Sequence, residues 1–364
     1  MDNMKKKIKL FDPYVTAKEE KYLLAALRSH NWASGAGSNF VNLFEKKFQE
    51  YLGAKACVSV NSGTAALHIA LSAAGISQKE VVIPSLSFVS TAHAVLYNNG
   101  KVRFADIDPE TLCMDPDSVK KQITGRTKVI MPVHFGGMPA DLGKLKKLAD
   151  STNAVLVDDA AHSAGASFDG KKIGSIGAMS CFSFHPVKNL AMPTGGLVAI
   201  NSKDYHKVQK SLLSLRWCGI TDRKEVDYDV KKIGWNFYMN EFSAAVGLAQ
   251  LSVLDKLNKK RQDVAKQFHK RLNVERKMPI NKNSVYHFYW ILVKNRSQFR
   301  KKMTKMGIET GIHYKPIHKM SMYRTNTKLP VTEEVGQQIV ILPTHPNLTE
   351  QDVSKIIECA NKFC

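Results

Sequence analysis

The chain has 364 residues, 44% of them hydrophobic and 23% charged, which is enough for one large domain and a smaller one, each with its own core. The 53 basic and 32 acidic residues give a formal net charge of +21, but the basic residues are spread along the chain and mixed with glutamates. No apolar run approaches the roughly 20 residues that span a membrane, and no RNP-like run or zinc-finger spacing occurs, so we predict a cytoplasmic protein that binds neither membrane nor nucleic acid.

Two helices are predicted at the start of the chain. Thr16 and Glu19 form a capping-box pattern that opens the first helix. The second begins near Asn39, carries an apolar stripe at helical spacing, and ends at Gly53.

Seven short apolar runs of strand length follow. Helical patterns separate the first five of them, and this alternation is typical of a mostly parallel sheet with helices on both faces. The runs are residues 56–60, 81–84, 102–105, 129–133, 154–157, 179–184 and 197–200.

The last third of the chain has a different pattern. A long helix predicted over residues 240–272 leads into a second unit, so we divide the chain into a large domain, 1–245, and a small C-terminal domain, 246–364. The small domain carries a strand, a helix and a final helix, predicted at 288–293, at 297–306 and after Thr349.

A candidate anion site lies between the first strand and the helix after it. The free N–H groups and the dipole of a helix N-terminus both favour a phosphate at such a turn. A capped helix after a strand is common, so this segment alone is a weak signal. Its residues are Ser62, Gly63, Thr64 and Ala65.

Two carboxylates, Asp158 and Asp159, end the fifth predicted strand. Open α/β sheets bind ligands at the carboxyl edge of the strands, although a lone aspartate there often only caps a loop. A pyridoxal-phosphate (PLP) enzyme gives such a carboxylate a definite task, which is to keep the pyridine nitrogen protonated.

Lys188 follows the sixth apolar run and precedes the pair Gly195 and Gly196. Most lysines in so basic a chain lie on the surface. A lysine that forms a Schiff base must instead be desolvated enough to be partly neutral, and an apolar run beside it provides that setting. An anion cup, a strand-end aspartate and a lysine in this order together indicate a PLP enzyme far more specifically than any one of them does alone.

Six segments resemble the nucleotide-sugar aminotransferases of the DegT/DnrJ/StrS type, in order over almost the whole chain. They are residues 61–67, 84–88, 157–162, 182–189, 234–241 and 312–314. The resemblance implies the fold-type I PLP architecture, with a large domain around a mostly parallel seven-stranded sheet and a smaller C-terminal α+β domain. It also implies an aminotransferase that moves an amino group from an amino acid, expected to be L-glutamate, to a keto-sugar. The sugar is expected to be nucleotide-linked and to serve amino-sugar or surface-glycan biosynthesis.

By this resemblance, Lys188 forms the Schiff base with PLP and shuttles protons, with pyridoxamine phosphate as the intermediate form of the cofactor. Asp159 holds the pyridinium nitrogen, His162 lies beside the phenolic oxygen, and Phe88 stacks on the ring.

The resemblance assigns further residues to the phosphate, the partner subunit and the substrate. The phosphate cup consists of Ser62, Gly63, Thr64, Ala65 and Ser183. Asn236 reaches the neighbouring cofactor across a homodimer interface. The substrate or interface residues are His313, Tyr314 and His318. No metal is expected.

Three positions depart from the family pattern. Tyr238 stands where the family usually has arginine, Cys218 where it commonly has histidine, and Thr194 where it has an acid. Because of these departures, the resemblance does not identify the sugar or its nucleotide. Three alternative functions also remain: a PLP-binding protein without transaminase activity, an enzyme of another PLP reaction, and a PLP-dependent sugar dehydratase. Lys188 disfavours the dehydratase, because related dehydratases carry histidine there. The six scattered cysteines, which form no CxxC pair, disfavour a zinc site, a disulfide framework and an iron–sulfur cluster.

Overall fold

A computed structural model describes residues 7–364, so residues 1–6 of the predicted large domain lie outside the described part. The first two helices form as expected. The Thr16 hydroxyl and the Glu19 carboxylate make the reciprocal capping box of the first helix. The second helix ends at Gly53, whose φ of 71° is the left-handed conformation that glycine adopts without steric cost.

The described chain alternates between helices and short strands. The helices are α1 Ala17–Arg28, α2 Asn39–Leu52, α3 Gly63–Ala74, α4 Ser90–Tyr97, α5 Pro116–Gln122, α6 Leu142–Thr152, α7 Tyr205–Arg216, α8 Glu241–Leu251, α9 Leu254–Arg271, α10 Arg296–Lys305, α11 Pro330–Gln338 and α12 Glu350–Phe363. The strands are β1 Ala56–Val60, β2 Glu80–Pro84, β3 Lys101–Ala105, β4 Thr127–Ile130, β5 Val155–Asp159, β6 Ser167–Phe168, β7 Lys171–Lys172, β8 Met179–Ser183, β9 Gly196–Ile200, β10 Ile220–Lys224, β11 Asp227–Val230, β12 Tyr289–Leu292 and β13 Ile339–Leu342.

The seven predicted strands form one sheet in the order β1-β9-β8-β5-β4-β2-β3. Neighbouring strands from β8 to β3 run parallel, whereas β9 runs antiparallel to both β8 and β1. Parallel neighbours need a crossover, which the helices α3 to α6 supply between the first five strands of the sheet. The prediction of a mostly parallel seven-stranded α/β sheet is confirmed.

Both faces of the sheet are covered. Within β2, Val81 and Ile83 belong to the apolar cluster under α3 and α4, whereas Val82 belongs to the cluster on the other face. Phe44 and Phe48 of α2 contribute to that second cluster. Because both faces are buried, the strands are continuously apolar, and their ends are the parts left to carry polar side chains.

The predicted long helix over residues 240–272 is wrong, because two helices occupy this stretch. Val253, between α8 and α9, has φ −122° and ψ 2°, which is outside the helical range. Ser252 turns its hydroxyl back to the carbonyl of Ala249 at 2.6 Å, and such a bond competes with helix continuation. Helix α8 packs against α1 and α2, so the predicted domain limit at residue 245 falls inside a helix of the large unit's helical layer. The division into two domains stays a prediction.

The C-terminal part combines helices with a small sheet. Strands β12 and β13 pair antiparallel, α10 packs against α12, and α11 lies beside β12. Within residues 7–364, no helix is both long and apolar enough to cross a membrane.

Candidate active site

The sequence-predicted residues meet around a cavity of about 290 Å³ at the carboxyl ends of β2 and β5. The turn before α3, the loop after β2 and the segment after β8 form its walls. Nine predicted site residues line it: Ser62, Gly63, Thr64, Phe88, Asp159, His162, Ser183, Lys188 and Tyr314.

The N-terminus of α3, where an anion site is predicted, lies at one end of the cavity. Ser62 is the N-cap, and its hydroxyl accepts a hydrogen bond from the backbone N–H of Ala65 at 3.1 Å. A Cβ atom at Gly63 would lie 2.6 Å from Cβ of Ser183, so only glycine allows the helix start to come this close to β8. The Ala65 N–H is therefore used by the cap, and Ala65 borders a neighbouring surface groove instead of the cavity.

Asp159 ends β5 with a buried carboxylate. Its Oδ2 accepts a hydrogen bond from the Thr91 hydroxyl at 2.8 Å, and its Oδ1 accepts one from the Ala161 N–H at 3.2 Å. Burial raises the pKa of Asp159, and both hydrogen bonds and the charge of Lys188 act in the opposite direction.

Asp158 has a different environment from its neighbour because successive strand residues face opposite sides of a sheet. Its fully buried carboxylate accepts a hydrogen bond from the Ser180 hydroxyl at 2.7 Å, and burial raises its pKa to about 7. It does not line the cavity. Of the two strand-end carboxylates, Asp159 is the one that can meet a ligand.

Lys188 is half-buried in the cavity wall, and burial lowers the pKa of its amine to about 8, against the attraction of Asp159. Near neutral pH, an amine with this pKa is neutral in part of the molecules and can attack a carbonyl. The residue after it, Asn189, is held firmly: its side-chain N–H groups donate to Asn258 Oδ1 at 2.8 Å and to the Val285 carbonyl at 3.0 Å.

His162 and Tyr314 form a polar pair at the cavity wall, with 3.2 Å between the imidazole Nε2 and the phenol oxygen. Nδ1 of His162 accepts from the backbone N–H of Gly136 at 3.4 Å, which assigns the ring proton to Nε2. Burial lowers the pKa of His162 well below its usual value, so the imidazole is neutral. His287 stacks on it, with ring centroids 4.6 Å apart.

Phe88 is a wall of the cavity that remains open to solvent. Its side chain is 56% exposed, and its ring centre lies 5.8 Å from that of Tyr314. An exposed aromatic ring at the mouth of a cavity offers a face on which a flat ligand can stack.

Besides Ala65, three predicted residues do not line the cavity. Asn236 is exposed and pairs with Trp217 in an isolated bridge. The ring of His313 packs against that of Phe288, with 5.3 Å between the ring centroids. Burial is the main reason that the pKa of His313 is lowered to about 4. His318 is fully buried, 2.6 Å from the Ser85 hydroxyl, so its position ties the C-terminal part to the end of β2.

Several lining residues were missed in the sequence. The most informative is Thr91, whose hydroxyl bonds to Asp159. A signal was available, because the stretch after β2 is rich in hydroxyl side chains and follows a strand end. The missed lining residues are Leu67, Ser87, Ser90, Thr91, Val133, Ala161, His185, Val187 and Gly195; Thr194, named above as a departure from the family pattern, also lines the cavity.

These residues fit PLP. Lys188 could supply an amine for its aldehyde, Asp159 a carboxylate for its ring nitrogen, and the helix start at Gly63 a place for its phosphate, since all three line one cavity. Among the described residues, no group of three or more histidine, cysteine, aspartate or glutamate side chains is arranged to hold a metal ion.

The sequence has named relatives over its full length. It is 33% identical over 366 residues to a GDP-perosamine synthase of Escherichia coli O157:H7, covering 98% of this chain and 99% of that protein. It is 32% identical over 365 residues to a GDP-perosamine synthase of Caulobacter vibrioides, covering 96% of each.

Solved structures share the fold. Helicobacter pylori PseC, described as an aminotransferase involved in the biosynthesis of pseudoaminic acid, superposes with a TM-score of 0.92 at 27% identity, over 98% of this chain and 99% of that one. The putative sugar aminotransferase Spr1654 of Streptococcus pneumoniae is 25% identical over 98% of both chains, with TM-scores of 0.91 in its PLP form and 0.92 in its PMP form. Residues 13–361 match the sequence profile of the DegT/DnrJ/EryC1/StrS aminotransferase family. The chain belongs to that family, and it is a PLP-dependent aminotransferase.

Proposed function

We propose that this enzyme transfers the amino group of glutamate to a keto-sugar carried on a nucleotide, in amino-sugar biosynthesis. The observation that carries the proposal is the meeting of a lysine of lowered pKa, a buried carboxylate and a helix N-terminus around one cavity. The relatives named as GDP-perosamine synthases favour a nucleotide-linked sugar as the acceptor.

PLP, when bound, supplies an electron sink that allows a proton to leave the α-carbon of an amino acid. The chain's own residues divide the remaining work. Asp159 would hold a proton at the ring nitrogen, because its buried carboxylate lines the cavity at the end of β5. Lys188 carries the cofactor and then, as a neutral amine, moves the proton from the substrate carbon.

The N-terminus of α3 would hold the phosphate, in the same cavity as Lys188. Ser62, Gly63 and Thr64 line the cavity at this end, and the first turn of a helix has N–H groups without an intrahelical partner that favour an anion. The Ser183 side chain borders the cup from β8. Anchoring at one end and stacking on Phe88 at the other restrain the ring, which is what an orientation-dependent proton transfer needs.

One cavity serves two substrates in turn, so we propose that 2-oxoglutarate leaves before the keto-sugar enters. Hydroxyl groups and aromatic rings dominate the lining, and these suit a sugar. Phe88 and His185, both exposed, mark the open side through which a bulky nucleotide extends into solvent.

We also propose that a second copy of the chain completes the site in a homodimer. Within residues 7–364, the lining contains no arginine and no lysine besides Lys188, so a dicarboxylate such as glutamate lacks a cation to pair with. Asn236 is exposed, and its carbonyl lies within 3.4 Å of the Asn61 side chain, next to the α3 cup. A partner approaching this side brings polar groups to the cavity mouth.

The test follows the visible absorbance of bound PLP in the purified protein during addition of glutamate, then of a panel of nucleotide keto-sugars. We expect glutamate to remove the band with one equivalent of 2-oxoglutarate and of pyridoxamine phosphate per site, and one panel member to restore it. Lys188→Ala must abolish both changes, whereas Lys203→Ala, at an exposed lysine, must leave them intact.

Each other outcome has a definite meaning. A band that no amino acid alters favours a PLP-binding protein without transaminase activity. A protein that binds no PLP, or a Lys188→Ala variant with full turnover, overturns the proposed function.

A further inference from the structure

A buried hydroxyl lies behind the cofactor carboxylate. Thr91, in the first turn of α4, is 1% exposed, and its Oγ1 lies 2.8 Å from Oδ2 of Asp159. On its other side, the Ser87 hydroxyl lies 2.7 Å from the same Oγ1, and Ser87 is 2% exposed. The three side chains form a short, almost fully buried row.

The direction of the hydrogen bonds follows from the number of protons. A hydroxyl has one proton to donate, and a carboxylate can only accept. Thr91 therefore gives its proton to Asp159, and the proton between Ser87 and Thr91 must come from Ser87. The row is a donor chain that points at Oδ2 of Asp159.

We propose that Ser87 and Thr91 are positioning residues that hold the Asp159 carboxylate ionised and correctly turned toward the ring nitrogen of PLP. This inference rests on the proposed role of Asp159. Neither residue was assigned a role by the sequence, and neither supplies a proton to the substrate. They act through the carboxylate.

The geometry favours positioning over simple packing. The Ala161 N–H binds Oδ1 while Thr91 binds Oδ2, so both oxygens are restrained and the plane of the carboxylate is fixed. The contact also crosses β4, because Thr91 follows β2 and Asp159 ends β5. Phe88 lies between Ser87 and Thr91 in the chain, so one short segment, the end of the loop after β2 and the first turn of α4, carries both the predicted stacking ring and the support of the carboxylate.

The surroundings of Asp159 make this donor chain important for its charge. Lys188 is the opposite charge that faces it, and burial opposes ionisation. The other titratable groups nearby are Asp158, Cys181 and Tyr314; burial raises the pKa of each, which favours their neutral forms. Without the Thr91 proton, the pKa of Asp159 rises further, and the carboxylate is neutralised at a higher pH.

The experiment compares Thr91→Val, Thr91→Ser and Ser87→Ala with the parent holoenzyme. Valine keeps the shape of threonine but removes the donor, whereas serine restores it. We expect Thr91→Val to weaken PLP binding, measured by equilibrium dialysis, by roughly tenfold to a hundredfold, as for loss of a hydrogen bond to a charged group. Thr91→Ser should recover most of the affinity, and Ser87→Ala should lose less than Thr91→Val, because Thr91 can still donate.

The pH dependence separates positioning from packing. We expect the loss of PLP affinity on acidification to begin at higher pH in Thr91→Val, and kcat to fall more than KM changes. The matched control is Thr332→Val, which removes another fully buried hydroxyl that donates to a carboxylate, at 2.6 Å from Asp106 and outside the cavity lining. We expect it to lower the stability of the fold and to leave the pH profile of PLP binding unchanged.

The inference fails if Thr91→Val binds PLP with the parent's affinity and pH profile, or if Thr91→Ser shows no recovery. It also fails if Thr332→Val shifts the pH profile of PLP binding as much as Thr91→Val does. In each of these cases the parent protein still binds PLP and reacts with glutamate, so the proposed function stands. A parent protein that neither binds PLP nor reacts with glutamate would overturn both this inference and the proposed function.

Discussion

The phenol of Tyr314 lies 3.2 Å from Nε2 of His162, joining the C-terminal part of the chain to the turn after β5. Tyr314 also lines the cavity, and burial raises the pKa of its hydroxyl, so the phenol stays protonated and is a poor acid. His162 is neutral for the same physical reason. The pair therefore presents a fixed neutral hydrogen-bond donor to a ligand.

Replacing Tyr314 by phenylalanine should reduce kcat by about tenfold while leaving the fold intact. The ring and its packing remain, but His162 loses a hydrogen-bond partner, a change worth about 1 kcal/mol or somewhat more. Steady-state kinetics with glutamate and the accepted keto-sugar measure the effect. Tyr97→Phe, at a half-exposed tyrosine outside the cavity, is the control and should behave as the parent. An unchanged kcat in Tyr314→Phe would remove the tyrosine from the proposed site.

The rate at which the apoprotein captures PLP should rise with pH and level off above about 8. The folded pKa of Lys188 is lowered from 10.5 to about 8 by burial, so raising the pH through that value converts the amine to its neutral, nucleophilic form. Stopped-flow absorbance at several pH values gives the midpoint. A midpoint near 10.5, the value of an exposed lysine, would show that Lys188 is not desolvated in solution.

Gly63→Ala should weaken PLP binding strongly. The added Cβ would lie 2.6 Å from Cβ and 3.2 Å from Cα of Ser183, so the helix start and β8 must move apart and the phosphate cup opens. Equilibrium dialysis against PLP measures the loss, which we place at tenfold or more. Gly125→Ala is the matched control because a Cβ at Gly125 meets no atom within 4 Å. Equal affinities in the two variants would contradict the placement of the phosphate.

Arg216→Met should destabilise the protein by about 3 kcal/mol, because it removes the cation that pairs with the partly buried Glu45 carboxylate and the donors to three backbone carbonyls. The Arg216 guanidinium is 1% exposed and donates to Glu45 at 2.7 Å and to the carbonyls of Ala36, Ser59 and Gly35 at 3.0, 3.1 and 3.2 Å. Denaturant unfolding measures the change.

The control for Arg216→Met is a surface pair. Lys146 bonds to Asp150 at 2.7 Å, but both side chains are more than half exposed, so Lys146→Met should cost less than about 1 kcal/mol. Similar losses of unfolding free energy in the two variants would mean that burial does not determine how much the Arg216 contacts stabilise the protein.

Much of the large unit was predictable because its signals are local. Every strand of the seven-stranded sheet lies within a few residues of an apolar run in the sequence, and the capping box at Thr16 formed as expected. The break between α8 and α9 was not predictable from periodicity, because the apolar pattern continues through Ser252 and only the backbone shows the interruption.

The sequence by itself determined the elements, their order and the chemical types at the strand ends, including Lys188, Asp159 and the cup before α3. Only the tertiary structure decided which side chains meet. It brought the Thr91 hydroxyl into hydrogen-bond contact with Asp159 and the Tyr314 phenol into contact with His162. It also placed His318 against Ser85, outside the cavity lining. The physical reason is that helix and strand patterns depend on neighbouring residues, whereas these contacts join residues far apart in the chain and depend on how the sheet, its helices and the C-terminal part pack together.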